Sequence, residues 1–201
     1  MKPFVVAVSG EKDHGKSTLA RMVASLIYNK FCVETHVEHV ALPMYQIAAI
    51  LTGDDGFLVC PEEAKHRIYS FERGQMTGTE ILQNIGQLYG REFFGCNVWV
   101  NIWKKRAFVH SSDSIVFYPD CRMVEDRQVC DMGIWISAPG VISKQNTNHE
   151  TERYLYLMKE LADLHVVRDG ERYTPDLLDI ASQIVAKYSH RSLIELRKEN
   201  T

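Results

Sequence analysis

The sequence predicts an α/β fold in which a mostly parallel five-stranded sheet is covered on both faces by helices. Three observations predict it. Phe4-Val5-Val6-Ala7-Val8 is a short unbroken apolar run, as expected of a strand buried on both faces of a parallel sheet. Four further strand-like segments follow, at 34–41, 115–118, 134–137 and 164–167, each separated from the next by at least one segment of helical periodicity. That alternation is the pattern of parallel strands joined by crossover helices. The chain's 201 residues, 45% apolar and 24% charged, suffice for one large core and exclude collagen-like, low-complexity and wholly disordered classes.

The first strand runs into Ser9-Gly10, and beyond the glycine loop Leu19, Met22, Val23, Leu26 and Ile27 recur at helical spacing. This predicts an amphipathic helix over 16–30. The best-marked later helix opens near Thr77, where Thr77 and Glu80 fit a capping box and Ile81, Leu82, Ile85, Leu88 and Tyr89 share a face. Another opens at Thr174-Pro175, with Leu177, Ile180, Ala181, Ile184, Val185 and Tyr188 inward. Weaker helical patterns cover 62–72, 97–109, 122–132 and 150–162. Residues 139–149, rich in Gly, Ser, Asn, Thr and Gln, read as a surface loop, and those after Ser189 as a solvated tail. The sequence contains no internal repeat.

A net charge of −3 creates no strong field toward polymeric nucleic acid or an anionic membrane. A polyanionic ligand would have to be held by a few local cations. The five cysteines, Cys32, Cys60, Cys96, Cys121 and Cys130, contain no C-x-x-C pair and are odd in number, which suits reduced thiols in a cytosol-like compartment. No stretch approaches the roughly 20 apolar residues of a membrane span, and the residues before and through Phe4 to Val8 are too short for a secretory leader. A cytoplasmic location is the expectation.

Gly10-Glu11-Lys12-Asp13-His14-Gly15-Lys16-Ser17 satisfies G-x-x-x-x-G-K-[ST] in full, between a predicted strand and a predicted helix. At average residue usage a chance match in such a chain has a probability on the order of 1%. The glycines admit dihedrals and a backbone approach that a Cβ would block, so successive N–H groups can point at phosphate oxygens with the positive helix end behind them. The fold expectation sharpens to a P-loop NTPase with three α/β/α layers. Gly10, Lys12, Asp13, His14, Gly15, Lys16, Ser17 and Thr18 are the ATP-binding candidates. Lys16 would serve the β- and γ-phosphates, the Ser17 hydroxyl Mg²⁺, and the Thr18 hydroxyl the α-phosphate. Asp13 and His14 are expected to contribute backbone amides.

The remaining motifs narrow the chemistry. Guanine-specific GTPases need an N-K-x-D element, whereas Asn29-Lys30-Phe31-Cys32 lacks the acid. Mechanical ATPases usually place two consecutive acids after the second motif strand, whereas here residues 115–119 are followed by Asp120, Cys121 and Arg122. One carboxylate followed by an arginine suits small-molecule phosphoryl transfer: Asp120 would hold Mg²⁺ through water or orient an acceptor, and Arg122 would clamp a phosphate with its planar fork. On the polar side of the Thr77 helix lie Gln83, Gly86, Gln87 and Gly90, with Arg91 at the margin. Two glycines inside a helix cost about 1 kcal/mol each relative to alanine. Either a ligand or a second helix approaching the backbone would account for them. Trp99 offers a flat surface for stacking a base or for packing a core.

These residues resemble the bacteriophage deoxynucleoside monophosphate kinases, relatives of adenylate and thymidylate kinases. The resemblance runs from the phosphate loop to about Gly170. It rests on Thr77 and Glu80, Leu82-Gln83 with Gly86, Trp99 after a polar turn, Asp120-x-Arg122 with Asp126, Gly133 before a strand, Pro139-Gly140 with His149-Glu150-Thr151-Glu152, and Ala41-x-Pro43. It implies transfer of the ATP γ-phosphoryl group to a deoxynucleoside monophosphate (dNMP), giving dNDP and ADP with Mg²⁺. Lys16, Arg122 and Asp120 would be catalytic. Gln83, Gly86, Arg91, Trp99, Asp120, Arg122 and Asp126 would bind the acceptor, and Lys144, His149 and Glu152 would belong to a lid. It further implies one kinase domain, with core 1–42 and 112–189, a helical acceptor-binding insertion 43–111 and a lid 139–152. Phage origin would place the chain in the host cytoplasm, and homodimerisation stays open. Thr79, Gln87 and Ala138 stand where the family usually has arginine, threonine and arginine. Those departures keep two alternatives in view: a P-loop kinase of another small acceptor, and a nucleotide-binding module with weak catalysis.

Overall fold

Every residue of the first strand, β1 (Phe4–Gly10), is buried, and the sheet forms around it. A computed structural model describes residues 2–141 and 155–199. The sheet continues with β2 (Glu34–Val37), β5 (Ser114–Pro119), β6 (Met132–Ser137), β7 (Leu164–Asp169) and β8 (Arg172–Thr174), in spatial order β2-β5-β1-β6-β7-β8. The first five strands in that order run parallel, with Val8 opposite Pro119 and Gly10 opposite Ile136. Unforeseen from sequence, β8 adds a sixth, antiparallel edge strand.

The strand period of two divides the side chains between faces. Phe4, Val6, Val8, Ile115, Phe117, Ile134 and Ile136 join Leu19, Val23 and Ile27 of α1 (Lys16–Phe31) and Ile180 and Ile184 of the C-terminal helix in one core. On the other face, the helix Leu155–Glu160 packs against β1 and β6. These helices on both faces make the three expected layers. Asp163 secures the entry to β6, accepting from the Gly133 N–H at 2.7 Å, Arg127 Nη2 at 2.7 Å and Lys187 Nζ at 2.6 Å.

The chain divides into two compact units, Met1–Glu38 with Arg106–Thr201, and His39–Lys105. The second contains α2 (Leu42–Thr52), α3 (Gly56–Val59), α4 (Pro61–His66), the hairpin β3 (Ile68–Phe71) and β4 (Gly74–Thr77), α5 (Gly78–Gln83), a π-helix (Asn84–Glu92) and most of α6 (Val98–Ala107). Its core gathers Ala48, Ala49, Phe57, Ala64, Ile81, Ile85 and Trp99.

Several elements depart from expectation for local reasons. The helix expected over 62–72 ends at His66, where Arg67 turns extended. Ile68-Tyr69-Ser70-Phe71 then pairs with 74–77 as a hairpin, in keeping with the strand preference of β-branched and aromatic residues. The 122–132 helix reduces to α7 (Val124–Arg127). Of the 150–162 helix, the described part is α8 (Leu155–Glu160). The last helix, α9 (Leu177–Glu199), starts after the Asp176 carboxylate, which accepts from the N–H groups of Leu178 and Asp179 at 2.9 Å and so caps it. It also continues beyond Ser189, where a solvated tail was expected. Pro139 to Val141 apart, the expected lid with Lys144, His149 and Glu152 lies outside the described residues.

Phe117 is fully buried at the centre of the first unit's core. Phe117→Ala should cost about 3–5 kcal/mol, read as a lowered urea midpoint at unchanged slope.

Candidate phosphate-binding site

The site begins where β1 ends. Gly10 has φ 156°, and a Cβ there would run into the Ile136 carbonyl oxygen. Asp13 adopts φ 66°, and Gly15, the N-cap of α1, φ 92°. Such angles bend the chain back over its own helix. Among the described residues no side chain caps α1 and no acidic residue stands in its first turn, so its first N–H groups lack a side-chain acceptor there at the positive end of the helix dipole. This arrangement takes an anion.

Lys16 opens the helix with only 8% of its surface exposed. Its Nζ donates to the Glu11 carbonyl at 2.8 Å and lies 3.3 Å from Asp120 Oδ1. Asp120 comes from the neighbouring strand: β5 pairs with β1, and beyond Pro119 the Asp120 N–H donates to the Val8 carbonyl at 2.9 Å. Asp120 then adopts φ 67°, a left-handed angle that Asp tolerates better than most residues. Arg122 Nε donates to the same Oδ1 at 3.0 Å. Ser9 Oγ donates to the Cys121 carbonyl at 2.8 Å, fastening this turn to β1. Burial by itself would raise the Asp120 pKa; the Arg122 and Lys16 charges and their hydrogen bonds reverse that and hold the carboxyl below its ordinary value. Asp126, on α7, lies close enough to the buried Tyr118 hydroxyl to act on it electrostatically: the Tyr118 pKa is pushed up by burial and then by that negative charge.

The structure therefore brings Lys16, Asp120 and Arg122 together, with Asp126 beside Tyr118 on the same strand-end. Ser17 is half-buried; Lys12, Asp13 and Thr18 are exposed. His14 is buried, with Nε2 3.6 Å from a Glu11 carboxylate oxygen and Nδ1 without a hydrogen-bond partner among the described residues.

The other expected residues sit in the second unit. Thr77 and Glu80 form the full capping box, and the Thr77 bonds lower the Glu80 pKa. Gln83 is exposed, and Gly86 and Arg91 are half-buried. Trp99 is only 7% exposed, its Nε1 donates to the Gly86 carbonyl at 2.8 Å, and a Cβ on Gly90 would collide with its indole. Packing of Trp99 thus accounts for Gly90, and its hydrogen bond uses the Gly86 carbonyl. The π-helix changes the buried spacing, from Ile81 and Ile85 to Gly90, as i→i+5 bonding does. Leu88 and Tyr89, expected on the apolar face, are left exposed. Sequence spacing does not announce one neighbour of the loop, the Arg168 side chain beside Gly15.

No protein-family model matches this chain, and no curated protein does. Among solved structures it is similar to a shikimate kinase from Aquifex aeolicus, at 12% identity and TM-score 0.44 over 94% of this chain and 99% of that one. It is also similar to a gluconokinase from Sinorhizobium meliloti, at 11% and 0.40 over 99% and 98%. A third likeness is to a possible uridine kinase from Bacillus stearothermophilus, at 15% and 0.39 over 82% and 89%. The α/β fold stands on the chain's own strand order and register.

Because the folded Asp120 pKa lies below its ordinary 3.8, its ionisation stabilises the folded state fully above about pH 4, and that contribution fades as pH falls further. Asp120→Asn, which keeps shape and tolerance of φ 67°, should therefore show a smaller loss of stability between pH 5 and pH 2 than the parent chain, by urea midpoints at each pH.

Proposed function

We propose that this chain is an ATP-dependent phosphotransferase that moves the γ-phosphoryl group to the phosphate of a dNMP, giving ADP and dNDP. One observation carries the phosphotransferase reading: a phosphate loop at an uncapped helix start, with its lysine 3.3 Å from a carboxylate that also binds an arginine. The dNMP acceptor is supported by the sequence resemblance described above.

The reacting groups are both phosphates, so positive charge and alignment matter more than a strong base. Lys16 exchanges its present partners, the Glu11 carbonyl and Asp120, for the β- and γ-phosphate oxygens. Gly15, Lys16 and Ser17 supply main-chain N–H donors to the transferred group's neighbours. Asp120 holds Arg122 by its Nε, and the guanidinium clamps the acceptor phosphate. Asp126 lines the acceptor side next to Tyr118.

The Ser17 hydroxyl and an Asp120 carboxyl kept ionised by two cations are hard oxygen donors. They fit Mg²⁺, which takes few protein ligands and completes its shell with water and phosphate. When bound, the ion would neutralise charge between the β- and γ-oxygens.

ATP turnover should give ADP only when a dNMP is present, tested with each of the four dNMPs and ribonucleotide controls. No acceptor-dependent ADP from any of them would overturn the reading. Lys16→Ala should lower turnover by roughly 10²–10³ with folding intact. Arg122→Ala should raise the dNMP KM more than the ATP KM; the reverse split would exchange the two pockets.

A further inference from the structure

Arg168 stands near the end of β7, in the sheet order two strands from β1. Its guanidinium lies across the face of Gly15: a Cβ built there would be 2.7 Å from Nη1 and 3.6 Å from Cδ and Cζ. Its Nε donates to the Gly170 carbonyl at 2.9 Å, which fixes the plane of the fork and leaves both terminal nitrogens outside that bond. Gly170 turns the chain at φ 58° between β7 and β8, so the anchoring carbonyl belongs to a tight antiparallel turn.

The charge pattern sets this side chain apart from its neighbours. Lys16 and Arg122 both bind the Asp120 carboxylate. Arg168 has no ion-pair partner among the described residues. A guanidinium half-exposed, held by a backbone carbonyl and laid on the residue that opens α1 is placed to meet an anion seated on that helix start. A planar fork also binds two phosphate oxygens at once, which a lysine cannot do.

We infer that Arg168 is a phosphate ligand of the donor nucleotide, contacting the polyphosphate held by the 10–18 loop from the side opposite Asp120. This rests on the reading of that loop as a nucleoside triphosphate site. Gly15 is then required twice over, for its φ of 92° and for the space the guanidinium fills beside it.

Calorimetric titration of the full chain with MgATP, inorganic tripolyphosphate and adenosine separates the terms. Arg168→Ala should weaken ATP and tripolyphosphate alike, by roughly 10- to 100-fold for one lost charge-assisted contact, and leave adenosine unchanged. Arg168→Lys should fall between, and Arg172→Ala, an exposed cation on β8, should stay within about twofold of the parent. Thermal melting monitors folding, and Arg168→Gln carries the test if the alanine variant does not fold. An Arg168→Ala chain that binds both ligands like the parent overturns the inference while leaving the nucleotide reading intact. Loss confined to ATP, with tripolyphosphate unaffected, overturns it in favour of contact with the base. A parent chain that binds neither ligand overturns the inference together with the reading beneath it.

Discussion

The contact between Lys16 and Asp120 across adjacent strand ends is the constraint on which the site depends. It exists because β5 lies beside β1 in one register, Val8 opposite Pro119, and because the Asp120 N–H closes onto the Val8 carbonyl. A nearly buried ammonium without such a partner would carry a desolvation cost of several kcal/mol. Asp120 and the Glu11 carbonyl offset that cost while no phosphate is present. The Arg122 guanidinium and then the Lys16 ammonium, both at Asp120 Oδ1, keep that carboxylate ionised. A one-residue slip of β5 would turn Asp120 to the other face of the sheet and take that carboxylate away from Lys16.

The loop's own shape follows from the same economy of donors. Among the described residues, helix α1 begins without a side-chain cap and without an acid in its first turn, an omission that, with glycine at the N-cap, weakens an ordinary helix by roughly a few tenths of a kcal/mol. A phosphate tail would satisfy those N–H groups and add the charge that the helix end favours.

Much of this was legible in the sequence, and the reasons differ by element. The apolar runs of β1, β5 and β6 are buried on both faces, so a pattern without alternation marked them, and the glycine spacing marked the loop between β1 and α1. The hairpin over 68–77 was hidden because Pro61-Glu62-Glu63 opens a genuine short helix and nothing in the pattern ends it before Ile68. The π-helix was hidden because an apolar stripe at Ile81, Ile85 and Leu88 reads as α-helical until Trp99, from a separate helix, takes the space beside Gly90. The triad of Lys16, Asp120 and Arg122 was visible as two motifs, since strand order places them together. Arg168 carries no motif at all; its approach to Gly15 is a product of the sheet order β1-β6-β7 and of the turn at Gly170, both of which are tertiary facts.

The most direct measurement is the response of individual backbone amides to nucleotide. In a ¹⁵N-resolved NMR titration with MgATP, the amide signals of Gly15, Lys16 and Ser17 should shift saturably and together, as main-chain donors do when they close on phosphate oxygens, while those of distant surface residues such as Asn29 stay in place. Amides at 15–17 that do not move at millimolar MgATP would contradict the claim that this loop holds a triphosphate.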